Sequence, residues 1–255
     1  MERTILSVSG ADRETFLQGL VTNDVRAARG GLVYAALLTP QGKWIADFLL
    51  HETGERILLD AAAFLAGPLA QRLALYKLRA DVEIAPTGLR VRRGTGPAPA
   101  GALSDPRHPA LGWRLYGEEE GDDGTDWDAI RVAHVIPESG IELTADTYPL
   151  EAGFERLNGV DFRKGCYVGQ EVTARMRHKT ELRKGLVRVL IEGEAPPGTP
   201  LLAPDGREAG TLFTARNGRA IAHLRFDRAA PDLRAGQARV SPDPDWPLSI
   251  AGPGR

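Results

Sequence analysis

Turn-forming residues set the grain of this chain. With 29 glycines and 18 prolines in 255 residues, the sequence is cut into short pieces, each bounded by a turn signal. The cutting is densest after about Leu182, where residues 184–192, 201–202, 210–215 and 220–226 read as strands separated by Gly, Pro, Asp-Gly and Asn-Gly turns. Short alternating segments at such spacing predict a small antiparallel barrel or sandwich.

The first part of the chain mixes strands with helices. Ile5, Leu6 and Val8 start a strand, and Ser9 with Asp12 three residues on suggests a capping box. Phe16, Leu17, Leu20 and Val21 then recur at helical spacing over residues 11–21. A meander follows, with strands over 32–38, 44–50 and 57–59 joined by Thr39-Pro40-Gln41-Gly42 and Glu52-Thr53-Gly54-Glu55 turns. Leu65, Leu69, Leu73 and Tyr76 mark a helix over 64–78, with Pro68 expected in its first turn. Strands are expected over 81–85, 89–93 and 113–116, a loop over 94–109, and a helix from Trp127 capped by Thr125 or Asp126. There is no regular strand–helix alternation, so the class is α+β.

Charge and composition exclude several functions. Lys+Arg 32 against Asp+Glu 34 leaves a net −2, which weighs against the broad basic face of a nucleic-acid binder. A 42% hydrophobic and 26% charged content is that of a folded globular chain. No Gly-x-Ser-x-Gly or Gly-Lys-Ser/Thr loop is present, and the five histidines (51, 108, 134, 178, 223) show no metal-ligand spacing, so no metal site is expected. No run approaches the ~18 apolar residues of a membrane span. The opening Met1-Glu2-Arg3-Thr4-Ile5 has neither an apolar core nor an Arg/Ser-rich amphipathic pattern. With a single cysteine, these features lead to the expectation of a cytoplasmic protein in a reducing compartment.

That cysteine sits in the most unusual stretch, Asp161-Phe162-Arg163-Lys164-Gly165-Cys166-Tyr167-Val168-Gly169-Gln170-Glu171. Gly165 and Gly169 allow a tight, solvent-reachable loop. Arg163 and Lys164 precede the sulfur, and neighbouring cations favour thiolate over thiol. From Arg163 to Arg188 eight Lys/Arg face two Glu, a local +6, so an anionic group is drawn toward Cys166. On residue chemistry alone a lone cysteine is most often a small buried hydrophobe, and the basic run serves equally as a solvated strand edge.

Lys164-Gly165-Cys166-Tyr167-Val168-Gly169-Gln170-Glu171 resembles the signature of the YgfZ family, folate-binding proteins of iron–sulfur cluster assembly and repair, whose mitochondrial relatives serve four-iron, four-sulfur proteins. Gly10-Ala11-Asp12, Phe16-Leu17-Gln18-Gly19, Leu20-Val21-Thr22-Asn23-Asp24-Val25 and Leu38-Thr39-Pro40-Gln41-Gly42-Lys43 are similar to the opening of that family. Asp105-Pro106-Arg107, Leu111-Gly112-Trp113-Arg114, Pro149-Leu150-Glu151 and Thr173-Ala174-Arg175 are similar to its later segments. The resemblance implies an aminomethyltransferase-like fold of three subdomains around a central folate cavity, the last a small antiparallel β-barrel. It implies residues 1–181 as the folate-binding region of two interleaved subdomains, 182–245 as the barrel and 246–255 as an extended tail.

The resemblance also nominates site residues. Asp47, five residues after Gly42 on the second hairpin strand, matches a folate-contacting aspartate. Trp127 matches a tryptophan beside folate, and Arg175 joins them as a folate-binding residue. Read without the resemblance, Asp47 is an outward-facing strand residue and Trp127 ordinary core. Arg3 stands where relatives place a second folate-side tryptophan, and the Gly-Tyr-Thr-Gly-Glu segment of the glycine-cleavage transferase is replaced by Gly-Trp-Arg-Leu-Tyr-Gly. The implied function is a monomeric, tetrahydrofolate-binding accessory protein that supports cluster assembly or repair in client iron–sulfur proteins or cluster carriers, with Cys166 as reactive thiol and Lys164 beside it. The alternatives are a folate-dependent aminomethyl-type transferase and an RNA-binding module built on residues 175–188.

Overall fold

The computed structural model describes residues 1–179 and 182–248. By packing, the chain forms two units, the first Met1–Thr125 with Leu157–Val172, the second Asp126–Arg156 with the chain from Thr173 on. These boundaries differ from the division at 181/182 expected from sequence. Residues 126–156 pack with the barrel segment, and residues 157–172 return to the unit that the start of the chain builds.

The first unit contains β1 (Arg3–Ser9), α1 (Arg13–Gln18), β2 (Val33–Leu38), β3 (Trp44–Thr53), β4 (Arg56–Ala62), α2 (Ala63–Lys77) and β5 (Glu83–Pro86). The five strands form one antiparallel sheet, order β2-β3-β4-β1-β5. Strand alternation divides its residues between two faces. Val33, Ala35, Leu37, Ala46, Phe48, Leu50, Ile57, Leu59, Ala61, Leu6 and Val8 build a hydrophobic core with Leu17 of α1 and Ala66, Leu69 and Leu73 of α2. Tyr34, Asp47, Asp60 and Arg3 occupy the other face. There the second sheet packs: β6 (Arg90–Gly94), β7 (Leu103–Ser104), β8 (Trp113–Gly117) and β9 (Gly121–Asp122), order β7-β8-β6-β9.

Local details depart from the sequence reading. Helix α1 is shorter than expected, and Ser9 ends a strand instead of capping a helix. The Asp12 carboxylate accepts from the Asp81 N–H at 2.8 Å, so it ties the start of α1 to the segment that leads into β5 and not to its own helix. Pro68 lies inside α2. The carbonyl four residues back belongs to Phe64, which is solvent-exposed and can bond water where the helix offers no N–H.

The second unit contains α3 (Trp127–His134), α4 (Gln170–Lys179, from Thr173), β10 (Lys184–Glu192), β11 (Thr199–Leu202), β12 (Glu208–Arg216), β13 (Arg219–Arg225), β14 (Leu233–Ala235) and β15 (Ala238–Pro242). The strands close into a six-stranded barrel, order β10-β13-β12-β11-β14-β15. Asp126 caps α3 by accepting the Ala129 N–H at 3.1 Å. The buried Arg131 guanidinium joins α3 to the barrel through Glu142 (2.5 Å) and Thr214 (3.3 Å). Trp246, expected in an extended tail, is buried, with the Arg156 and Arg188 guanidiniums 5.2 and 5.3 Å from its ring. The rest of that tail, 249–255, lies outside the described residues.

One barrel glycine has no substitute. A β-carbon at Gly210 of β12 would stand 2.0 Å from the His223 carbonyl oxygen on β13, so the two strands would have to part. Gly210→Ala is expected to cost about 1–3 kcal/mol, seen as a lowered urea midpoint for the full chain.

Candidate functional site

The cysteine motif divides between inward and outward residues. Lys164 and Tyr167 are buried, while Arg163, Gly165 and Cys166 are exposed. Lys164 turns away from the sulfur: its Nζ donates to the carbonyls of Gln18 (2.9 Å), Val21 (2.5 Å) and Asn23 (2.9 Å). These carbonyls belong to the last residue of α1 and to the turn after it, where helical partners run out. The ammonium also lies 5.2 Å from the Tyr167 ring centre. Burial lowers its pKa to about 8, against the opposing pull of Asp24 and Asp161. Arg163 is 96% exposed in its side chain and 4.0 Å from Asp161. The picture of Lys164 as a cation serving the thiol therefore changes: it is the anchor of the loop that displays Cys166.

Other contacts fasten this loop to the first unit. Asp161 N–H donates to the Thr22 carbonyl at 3.0 Å. The Thr22 hydroxyl donates to Gly159 O (2.6 Å) and accepts from Ala36 N–H (2.8 Å). Asn23 bridges the Tyr34 and Asn158 carbonyls through its amide. At the far end Gly169 has φ +84°, and a β-carbon there would meet Thr39 O at 2.6 Å. The motif then passes directly into α4, which starts at Gln170. Sequence reading expected loop and strand edge here, because a run with Arg175, Arg177 and His178 shows no apolar stripe.

Asp47 is buried, 4% exposed, and not the outward-facing strand residue that chemistry alone suggested. Its carboxylate accepts from the Tyr34 hydroxyl (3.0 Å) and from Trp44 Nε1 (3.2 Å). Tyr34 lies on β2 and Trp44 on β3, so adjoining strands of the hairpin supply both donors. Burial, then the Asp47 charge, raises the Tyr34 pKa well above its ordinary value, and the hydroxyl stays a donor. Over the Tyr34 ring, 5.5 Å from its centre, stands the Arg107 guanidinium.

Arg107 begins a buried chain of alternating charge. It pairs with Asp105 (2.7 Å), which accepts from Arg114 Nε (3.0 Å). Arg114 NH1 donates to Asp60 (2.8 Å), and Asp60 also accepts from Arg3 Nε (2.6 Å) and the Tyr116 hydroxyl (3.0 Å). Arg3, at the position where a stacking tryptophan was considered, is thus part of an ion network. Burial alone would raise the carboxyls, but Arg107 and Arg114 hold Asp105, and Arg3 and Arg114 hold Asp60, below the usual carboxylate range. Sequence reading missed Tyr34, Trp44, Arg107 and Arg114 as partners of the nominated residues. The alternation Tyr34, Ala36 against Val33, Ala35, Leu37 was the available signal for Tyr34.

The second unit holds the remaining nominees. Trp127 opens α3 and is half-buried, and Arg175 lies exposed on α4. Among the described residues no group of three or more His, Cys, Asp or Glu is placed to hold a metal. None of their helices is long and apolar enough to cross a membrane.

Comparisons with known proteins place this geometry. The barrel family described as CAF17, C-terminal beta-barrel domain matches residues 183–248. The human iron-sulfur cluster assembly factor IBA57, mitochondrial, is 32% identical across 96% of this chain and 83% of that protein. The chain belongs to the IBA57 family. A homolog from Mycosarcoma maydis is 34% identical over 77% of this chain, which spans 58% of that protein's length. The crystal structure of the glycine cleavage system aminomethyltransferase T from Bartonella henselae superposes with a TM-score of 0.72, at 15% identity, over 93% of this chain and 81% of that one. The aminomethyltransferase-like fold with a terminal barrel is therefore the fold of this chain.

Location is a correction. The cytoplasmic expectation is overturned, since both IBA57 relatives are named mitochondrial. The opening residues on which that expectation leaned belong to β1, with Ile5 and Val8 buried. Their composition answers to packing in a sheet and does not bear on location.

Two outcomes test this geometry. Lys164→Met, which keeps the stem and removes the donors, leaves three carbonyls unpaired and is expected to cost about 1–3 kcal/mol in chemical denaturation. Asp60 and Asp105 titrate lower folded than unfolded, so their contribution is complete above about pH 4 and is lost as pH falls below it. Asp105→Asn is expected to lose about 3–5 kcal/mol at neutral pH and to flatten the acid limb of stability, read from urea unfolding at stepped pH.

Proposed function

We propose that this chain is a tetrahydrofolate-binding accessory protein that supports iron–sulfur cluster assembly or repair in client enzymes, with Cys166 as its reactive group. The observation that carries the reading is the exposed Cys166 thiol on an otherwise anchored loop, in a chain whose IBA57 relatives are named cluster assembly factors. The sequence likeness to the YgfZ motif supports the same reading.

A cluster is cargo here. Iron–sulfur clusters take about four thiolate-type ligands, and this chain supplies one. The others come from a client or carrier, a second copy or a small thiol, so an exposed position suits a shared, transient ligand. Thiols in such positions also carry persulfide or respond to oxidation.

The chemistry of the nominated residues suits a folate. Asp47 is held as an acceptor by the Tyr34 hydroxyl and Trp44 Nε1, and a carboxylate so oriented suits the N–H edge of a pterin. The half-buried Trp127 indole presents a flat aromatic surface, and the exposed Arg175 guanidinium suits a carboxylate tail. Bound folate would supply one-carbon or redox-active pterin chemistry. The role of the chain is to orient it through Asp47, itself fixed by Tyr34 and Trp44. The transferase reading draws on the fold alone.

Cys166→Ala is expected to leave the melting temperature and tetrahydrofolate affinity unchanged and to abolish recovery of a four-iron, four-sulfur client enzyme. Asp47→Asn is expected to weaken tetrahydrofolate by about tenfold in anaerobic calorimetry, with Trp127→Ala also weaker. Client recovery that survives Cys166→Ala removes the thiol from the reading. Absence of saturable folate binding in the unaltered protein removes the cofactor.

A further inference from the structure

The buried chain of alternating charge ends on Arg107, and the protein uses only part of that guanidinium. The backbone N–H and Nε of Arg107 donate to Asp105 Oδ1 (3.1 and 2.9 Å), and NH2 donates to Oδ2 (2.7 Å). Asp105 thus grips the residue two places on, with Pro106 between them restricting the backbone. The Asn158 amide donates to the Pro106 carbonyl at 2.8 Å and holds this turn in place. The guanidinium is therefore fixed by the fold, before any ligand arrives.

One nitrogen is left over. Arg107 NH1 donates to nothing among the described residues, and with the side chain 13% exposed it is not sealed from solvent. The stack on Tyr34 at 5.5 Å accounts for the face of the guanidinium and not for this edge. Nearly enclosed N–H groups without an acceptor are costly within a fold. Arg107 also lies within the field of Asp47. Burial pulls the Arg107 pKa down, but Asp105, then Tyr34 and Asp47, hold it above its ordinary value. An acceptor and a donor thus meet at one tyrosine, Asp47 against its hydroxyl and Arg107 over its ring.

We infer that Arg107 is a specificity-determining residue that reads the 4-oxo group of a bound pterin. The inference deepens the folate reading of Asp47 and rests on it. A pterin carries ring N–H donors and a carbonyl oxygen side by side along one edge. Asp47 accepts from the N–H groups, and Arg107 NH1 donates to the oxygen, a charge-assisted bond. A 4-amino pteridine puts a second donor where that oxygen was. Two sets of N–H groups then face each other with no acceptor between them, and the site rejects the compound.

The test is anaerobic calorimetry of the full chain with tetrahydrofolate and with tetrahydroaminopterin, its 4-amino counterpart. The unaltered chain is expected to bind the 4-oxo compound at least about tenfold more tightly. Arg107→Lys keeps a cation against Asp105 but removes the spare nitrogen, and Arg107→Met removes both. In each variant tetrahydrofolate should weaken by about tenfold while the 4-amino compound does not, so the preference falls to about twofold or less. The urea midpoint of Arg107→Lys should stay close to that of the unaltered chain. A residue that only held the fold would weaken both compounds alike, and that result overturns the inference. Equal affinity for the two compounds in the unaltered chain, or a preference that survives both substitutions, also overturns it and leaves the folate reading standing. Binding of neither compound overturns the folate reading and the inference with it.

Discussion

One ammonium group organises the loop that carries the single cysteine of this chain. The Lys164 Nζ shares its three protons among three carbonyls that α1 leaves behind. A carbonyl at the end of a short helix needs a donor, and water would serve if the site were open. Because it is closed, the lysine must come in, and its neighbours are fixed by that choice. Tyr167 turns inward with it, and Gly165 and Cys166 are left outside. The exposure of the thiol is thus a result of burial one residue to either side of the glycine–cysteine pair, and not of a floppy loop.

The same unit handles polar burial on its second sheet face in a different way. Arg3, Asp60, Arg114, Asp105 and Arg107 alternate in sign, so each desolvated charge has an opposite neighbour. The last guanidinium faces the Tyr34 ring, and the Tyr34 hydroxyl holds Asp47. The orientation of Asp47 is therefore coupled to packing at β8, well away along the sheet. An acid on a hairpin alone would be free to choose rotamers, whereas this one is held through two strands.

Much of this was legible from sequence where the signal was periodic. The meander, the start of α3 with its Asp126 cap and the first barrel strands follow from alternation and turn chemistry. The parts that were missed lack such a period. Strands β14 and β15 are three and five residues long, too short for alternation to register, and only closure of the barrel makes them strands. Helix α4 is polar on most sides, and its position after the positive-φ Gly169 is what marks its start. Asp47 could be singled out by resemblance, but its burial depends on Tyr34 and Trp44, one of them thirteen residues away. The inward turn of Lys164 depends on carbonyls 141 to 146 residues earlier. No local window contains such pairings.

That last separation bears on how the chain is made. The first unit lacks residues 157–172 until after 126–156, which belong to the other unit, have been synthesised. Carbonyls that emerge early from the ribosome wait for an ammonium that arrives late, and such distant pairings form slowly. Anchored display of the cysteine is therefore among the final events of folding. A nascent or partly folded chain has its sulfur without the frame that presents it, so the role proposed for the thiol would be open only to a finished protein.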